Sequence, residues 1–302
     1  MKIAALIGMK DEIELVRDAI DHLRRIGVDH IIASDGGSRD GTAEVLEALV
    51  AEAGGEGIEL MPYDDRDPET DRRIGEEALA RARAAGADWL LFCDADEFWL
   101  PATGRLRDCL ALAEADVLNV ARYNVPLLED GPALPLPVSP AAYHQVLLYA
   151  PDEDVRARYM RLREDSEAAW IASVPIGKIM VRPQRVAGAG DGGHRAVAAA
   201  GVTLRETRPA DLVIAHVPFS TAARFARKVA NIAAVVAASG DSWDEGSAWH
   251  WRRWLDSVSG PGGIAAEMAR NRIDRAELDR LRAGGVVRSA ADLLSDQAAP
   301  AR

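Results

Sequence analysis

The chain has only two cysteines in 302 residues, Cys93 and Cys109, and they make no C-x-x-C. That count excludes a disulfide framework and a thiolate metal cage, and it predicts a reducing compartment. Positive charge is also short: 36 Lys and Arg stand against 48 Asp and Glu, a formal net charge of −12. No basic surplus exists to neutralise a phosphate backbone, so general nucleic-acid binding is excluded, as is a simple polybasic route to anionic membranes. No apolar run approaches the length of a membrane span. The opening MKIAALIGMKDE has too short an apolar run, and no small-residue cleavage pattern, for a signal peptide. A cytoplasmic protein without a transmembrane segment is expected. Internal repeats are lacking too.

What the chain does have is centred on residues 88–99, DWLLFCDADEFW. Trp89, Leu90, Leu91, Phe92 and Cys93 form an apolar run without alternation, the mark of a strand covered on both faces of a parallel sheet. Asp94, Asp96 and Glu97 follow at once. Carboxylates this close repel one another, and burial raises that cost unless something positive sits among them. In open α/β sheets the ligand crevice lies outside the carboxyl ends of the strands, where these acids fall. A divalent cation carrying substrate phosphates explains the cluster; a solvated acidic turn is the plainer alternative.

Around this stretch, strands are expected at 3–7, 28–33 and 58–61, and helices between them. The helical apolar faces are Ile13, Val16, Ile20 and Leu23, then Val45, Leu46, Leu49 and Val50, with a third helix over 72–85. Such alternation means βαβ units and a mostly parallel sheet. The turn Ser34-Asp35-Gly36-Gly37-Ser38-Arg39-Asp40-Gly41-Thr42 is tight and polar, with Asp40 as the expected N-cap of the second helix. Beyond a strand at 115–122, five prolines between 126 and 140 mark an irregular loop. Further strands are read at 144–149, 178–181 and 212–215, a helix follows the 93 strand around Cys109, and 151–167 is poorly periodic. Residues 188–194, GAGDGGH, read as a flexible glycine run delivering one histidine. From 221 the chain reads as helical, with Phe225, Val229, Ile232 and Val236 on one stripe, and 289–302 is expected to fray.

With these residues in view, roughly 1–230 resemble the GT-A glycosyltransferases of the family 2-like group, in the branch with D-x-D-E-F after a Trp-led apolar strand. Four pieces carry the resemblance in order. Met9-Lys10-Asp11-Glu12 sits where the branch has a basic residue, Asn and Glu, with Asp11 the departure. Residues 35–42 are similar to D-x-x-S-x-D-G-T. Asp94-Ala95-Asp96-Glu97-Phe98-Trp99 fits D-x-D. Gly177-Lys178-Ile179-Met180-Val181-Arg182-Pro183, then His194, then His216-Val217-Pro218-Phe219-Ser220 is similar to the downstream pattern. The fold implied is GT-A: a Rossmann-like, mostly parallel nucleotide-diphospho-sugar transferase sheet with helices on both faces. Residues 1–220 would form that domain, and 221–302 a helical region packed on it.

The activity implied is metal-dependent, inverting transfer of a sugar from a nucleotide diphosphate donor to an acceptor hydroxyl. Family weighting favours a UDP-sugar, with a glycan or small molecule as acceptor, in envelope glycan or polysaccharide synthesis. By family position Asp94 and Asp96 are the catalytic pair: Asp96 ligates Mn²⁺ or Mg²⁺, and Asp94 contacts ribose or metal. Asp35 receives hydrogen bonds from the base, and Lys10 contacts phosphate. His194 is assigned as a further metal or diphosphate contact, and nitrogen ligation favours Mn²⁺. The general base is unassigned, with Asp191 beside His194 a candidate.

Plainer roles stand beside each assignment. Asp35 suits an Asx-type turn, His194 a solvated loop, His216 a hydrogen-bonded structural site, and Lys10 an ion pair. Four of seven tryptophans, Trp243, Trp249, Trp251 and Trp254, crowd together. Core packing is expected there, with an acceptor platform or a peripheral membrane contact beside Arg252 and Arg253 left open. Three other functions compete. A sugar-nucleotide nucleotidyltransferase wants a glycine-rich basic loop after the first strand, and this chain has one glycine there. A D-x-D phosphatase wants Thr or Val two residues after the second Asp, where Phe98 stands. A non-catalytic nucleotide-sugar-binding protein is the third.

Overall fold

The first strand, Ile3–Met9 (β1), shows how the sheet becomes covered on both sides. Ile3, Ala5 and Ile7 pack with Val16, Ile20 and Leu23 of helix Val16–Arg25 (α1). Ala4 and Leu6 face the other way. The computed structural model describes residues 1–61, 63, 70–165, 167–190, 192–239 and 249–297; the expectations for Asp191 and Trp243 lie outside these. Strand His30–Asp35 (β2) and helix Thr42–Glu52 (α2) come next, then strand Ile58–Leu60 (β3) and helix Thr70–Ala84 (α3). The α3 residues Ala78, Leu79 and Ala82 cover Ala4 and Leu6. Strand Trp89–Asp94 (β4) is buried along its length until Asp94. Each large aliphatic side chain enclosed this way contributes about 1.5–3 kcal/mol relative to exposure.

The remaining long strands are Glu97–Pro101 (β5), Val117–Asn124 (β6), Lys178–Val181 and Leu212–His216. Along the main path the sheet runs β3, β2, β1, β4, 178–181, β6, 212–216, β5. Strands 178–181 and β5 run antiparallel to their neighbours, and the other pairs are parallel. The sheet is therefore mixed but mostly parallel, as the GT-A resemblance implies. Its order turns back between β1 and β4, which opens the crevice at their carboxyl ends. Register brings the expected site residues there together: Gly8 lies beside Asp94, and Met9 beside Asp35.

Several local expectations are corrected. Cys109 sits between two 3₁₀ turns, Leu106–Asp108 and Leu110–Ala113, not in an α-helix. The α2 N-cap is Gly41, because Asp40 turns its carboxylate to Thr42 and the backbone of Ile13. Residues 155–164 are helical despite their weak apolar period, with Asp154 capping Ala157 N–H. The strand expected at 144–149 shrinks to Leu147–Tyr149. The glycine run expected to be a flexible loop is flanked by paired strands, Val186–Gly190 and Arg195–Ala198. Of the stretch 289–302 expected to fray, Ala290–Gln297 is helix with Leu293 and Leu294 buried, and 298–302 lie outside the described residues.

The C-terminal helices share one core with the sheet. Phe225, Val229 and Ile232 of helix Ala222–Ser239 join Phe98, Leu100 and Val213. Trp249 and Trp254 are buried in the same cluster, the Trp254 ring lying 5.6 Å from Phe219 and 5.4 Å from Phe225, which is the core role.

Candidate active site

β4 ends at Asp94 and β5 begins at Glu97, so Ala95 and Asp96 form the turn itself. Backbone bonds fix that turn: Ala95 N–H donates to Gly8 O, and Val217 N–H to Asp96 O at 2.8 Å. The buried Glu97 carboxylate accepts the Asp94 N–H at 3.0 Å. Asp94 and Asp96 are thus presented from a stiff corner at the sheet edge.

The positive charge demanded by so many acids comes from the protein itself. Arg122 on β6 pairs with Glu97, and the buried Lys178 reaches Asp94 Oδ2 at 2.9 Å while donating to Gly192 O. A second chain runs through helix Ala222–Ser239. Arg224 is 1% exposed. It grips both Glu12 oxygens, at 2.5 and 2.9 Å, and reaches Asp96 Oδ2 at 2.9 Å. Lys228, one turn on, donates to the same Oδ2 at 2.9 Å. Burial would raise the Asp96 carboxyl, but Lys228, then His216 and Arg224, outweigh it and hold it well below the usual carboxylate range. Burial and the Asp94 charge push Glu97 the other way, to about 7.

His216 completes the corner. Asn124 Nδ2 donates to the carbonyls of Ile171 and Ser173, so its Oδ1 is the free acceptor, and His216 Nδ1–H fills it at 2.7 Å. Burial lowers the imidazole to about 4, leaving it neutral at pH 7. Its Nε2 is then an unprotonated lone pair, 3.6 Å from Asp96 Oδ2. Two lone-pair donors facing each other at that distance fit a shared divalent cation. Among the described residues no group of three His, Cys, Asp or Glu is placed to hold a metal.

His194 lies on the other flank. Its Nδ1–H donates to Gly177 O at 2.6 Å, and burial, with Lys178 and Arg122, lowers it to about 4. No described contact joins it to Asp96. The Asp35 carboxylate accepts Gly37 N–H, Ser38 N–H and Ser38 Oγ–H, the Asx-type role. Asp11 stands at φ 56°, a left-handed position that Asn and Asp tolerate, and it ties the first loop to Arg39 N–H and Asn231. A cleft of about 300 Å³ joins these parts, with Lys10, Glu12, Asp94, Asp96, Gly193 and Lys228 among its lining. Lys10, Asp94 and Asp96 thus share one space, whereas Asp35 lies at its rim in register. The sequence pattern did not single out Arg122, Lys178, Arg224, Lys228 or Glu97 as partners. The only signal was the four-residue spacing of Arg224 and Lys228 beside the apolar stripe.

Residues 5–135 match the family model described as Glycosyl transferase family 2. That segment is a family 2 glycosyl transferase domain. The matched segment supplies Lys10, Glu12, Asp94 and Asp96, while Lys178, His194, His216, Arg224 and Lys228 come from outside it. No curated protein sequence matches the chain. Among solved structures it is similar to TarS of S. aureus, at 13% identity over 89% of this chain and 71% of that one, with a TM-score of 0.35. The S. aureus TarS structure in complex with UDP aligns with 41% of this chain and 36% of its own length, at 17% identity and a TM-score of 0.33. The Pyrobaculum calidifontis mannosyltransferase in complex with GDP-Man and Mn²⁺ is 18% identical over 98% of this chain and 79% of that one, with a TM-score of 0.36.

Proposed function

We propose that this protein is a metal-dependent, inverting glycosyltransferase. It moves a sugar from a nucleotide diphosphate donor, a UDP-sugar in our reading, to a hydroxyl of a glycan or small-molecule acceptor. One observation carries the reading: within a family 2 domain, the D-x-D turn floors a cleft at the sheet's switch point, with neutral His216 aimed at Asp96. Asp96 and His216 are the residues that would hold Mn²⁺ or Mg²⁺. His194, beside Asp94, is then a diphosphate or ribose neighbour. A bound divalent ion supplies positive charge where the leaving diphosphate becomes more negative.

The chain's own residues do the rest. Lys178 and Glu97 hold Asp94, whose side chain is 49% exposed and free to meet the ribose. Lys10 also lines the cleft and is our candidate phosphate contact. Inversion needs one carboxylate to take the acceptor proton as the hydroxyl attacks the anomeric carbon. Asp191, adjacent in sequence to the cleft-lining Gly192, is our candidate. Both cysteines are free, in keeping with a cytoplasmic setting, and among the described residues no helix is long and apolar enough to cross a membrane. Envelope glycan or polysaccharide synthesis is the proposed context.

The test is a thermal-shift panel of UDP, GDP, dTDP and CDP, each with Mn²⁺ and with EDTA. One nucleotide should stabilise the fold only with metal, by about 2.7 kcal/mol at a hundredfold excess over Kd. Equal stabilisation in EDTA would overturn the metal dependence, and no response to any nucleotide would overturn the function.

A further inference from the structure

Arg224 and Lys228 hold Asp96 in different ways. Arg224 is enclosed and all five guanidinium donors are engaged: two with Glu12, one with Asp96, and two from Nη1 with Val217 O at 2.9 Å and Pro218 O at 3.5 Å. It cannot leave without stranding Glu12. Lys228 is 25% exposed, lines the cleft, and among the described residues makes a single hydrogen bond, to Asp96 Oδ2. An ammonium has three donors, so two remain for whatever enters the cleft. The same oxygen also faces His216 Nε2 at 3.6 Å. Lys228 therefore occupies the one oxygen that a divalent ion shared with His216 would need.

We infer that Lys228 is an exchangeable counter-ion, resting on the metal and donor reading above. Its ammonium pairs with Asp96. Asp96 and His216 would hold the cation that accompanies a nucleotide diphosphate, and the released Lys228 ammonium would swing to the diphosphate oxygens. No covalent change is involved; one ion pair is traded for another across the same cleft. The flexible four-carbon stem allows this swing, while a guanidinium pinned as Arg224 is does not. The exchange keeps Asp96 paired at every stage, which matters because an uncompensated buried carboxylate is costly. Lys228 comes from the helix after the sheet, outside residues 5–135, so the family 2 segment borrows a diphosphate-binding residue from the C-terminal part of the chain.

The exchange predicts opposite effects on two affinities. In Lys228→Gln, Mn²⁺ no longer competes with an ammonium, so Mn²⁺ binding without nucleotide, read from the loss of its free electron-spin signal, should tighten about tenfold. The nucleoside diphosphate that stabilises the wild type should bind about tenfold more weakly in saturating Mn²⁺, because a charge-assisted bond is gone. Lys228→Arg, which keeps the charge, should restore nucleotide binding towards wild type. Unfolding midpoints near wild type for both variants would confirm that the fold is not what changed. Unchanged or weaker Mn²⁺ binding in Lys228→Gln, or unchanged nucleotide binding, overturns the exchange. Failure of the underlying reading looks different, since the wild type itself would then bind no nucleoside diphosphate with Mn²⁺.

Discussion

At Asp96 the shape of the side chain and its charge can be separated. Asp96→Asn keeps an oxygen for Arg224 or Lys228 but removes the negative charge an arriving cation needs. Metal-dependent stabilisation by nucleotide should disappear, and turnover should fall on the order of 10²–10³-fold, as when one element of transition-state charge stabilisation is lost. Undiminished nucleotide affinity in Mn²⁺ would count against the assignment. The two histidines give a second comparison. His216→Gln should weaken Mn²⁺ binding more than His194→Gln, because only His216 aims a bare nitrogen at Asp96; the reverse order would return the metal to His194. The acids of this site were legible in the sequence because D-x-D follows a buried strand directly. Their partners were not. Lys178 and Arg122 are neighbours of the acids only through register, and Arg224 and Lys228 stand more than a hundred residues away from Asp96. Which histidine meets Asp96 depended on Asn124, whose amide fixes the tautomer, and no local pattern announces that.

The hairpin of residues 186–198 forms one wall of the cleft, and two adjacent glycines in its turn separate backbone strain from crowding. Gly192 and Gly193 both have positive φ, 68° and 83°. A Cβ on Gly192 would meet nothing within 4 Å, while one on Gly193 would lie 2.5 Å from Phe92 Cβ on β4. Gly192→Ala should therefore cost only the left-handed penalty, about 1–2 kcal/mol. Gly193→Ala should cost a further 1–3 kcal/mol from overpacking and push the hairpin off β4. Denaturant unfolding of the two variants measures the difference, and equal losses would mean that the hairpin yields without resistance. Elements with a strong period and clear stops were readable from sequence, including strands β1 to β4 and the stripe of helix Ala222–Ser239. The hairpin was not, because glycine and alanine carry no alternation to reveal a strand. Helix Val155–Glu164 escaped for the opposite reason, since its many arginines hide any apolar face.

The whole molecule should be sensitive to acid through a histidine far from the cleft. His22 on α1 is 2% exposed, and its Nε2–H donates to Trp99 O on β5 at 2.7 Å, joining the helix to the far edge strand of the sheet. Its Nδ1 is enclosed and has no partner among the described residues, so a second proton there would find no acceptor. Burial accordingly lowers its pKa to about 4, despite the bond to Trp99. The unfolded chain, with an ordinary value near 6.5, takes up that proton more readily than the folded one between the two values. Stability from this site is thus complete above about pH 6.5 and is lost as pH falls through 4. Over that interval the loss is about 2–3 kcal/mol, from about 1.4 kcal/mol for each unit of difference. Other groups titrate in the same range, so the comparison must be with a variant lacking only this one. His22→Gln retains a donor for Trp99 O and cannot be charged. Denaturant unfolding at pH 7.5 and 4.5 should show the wild type losing about 2 kcal/mol more than His22→Gln. Parallel losses in the two proteins would mean that the folded protein accommodates a second proton on His22.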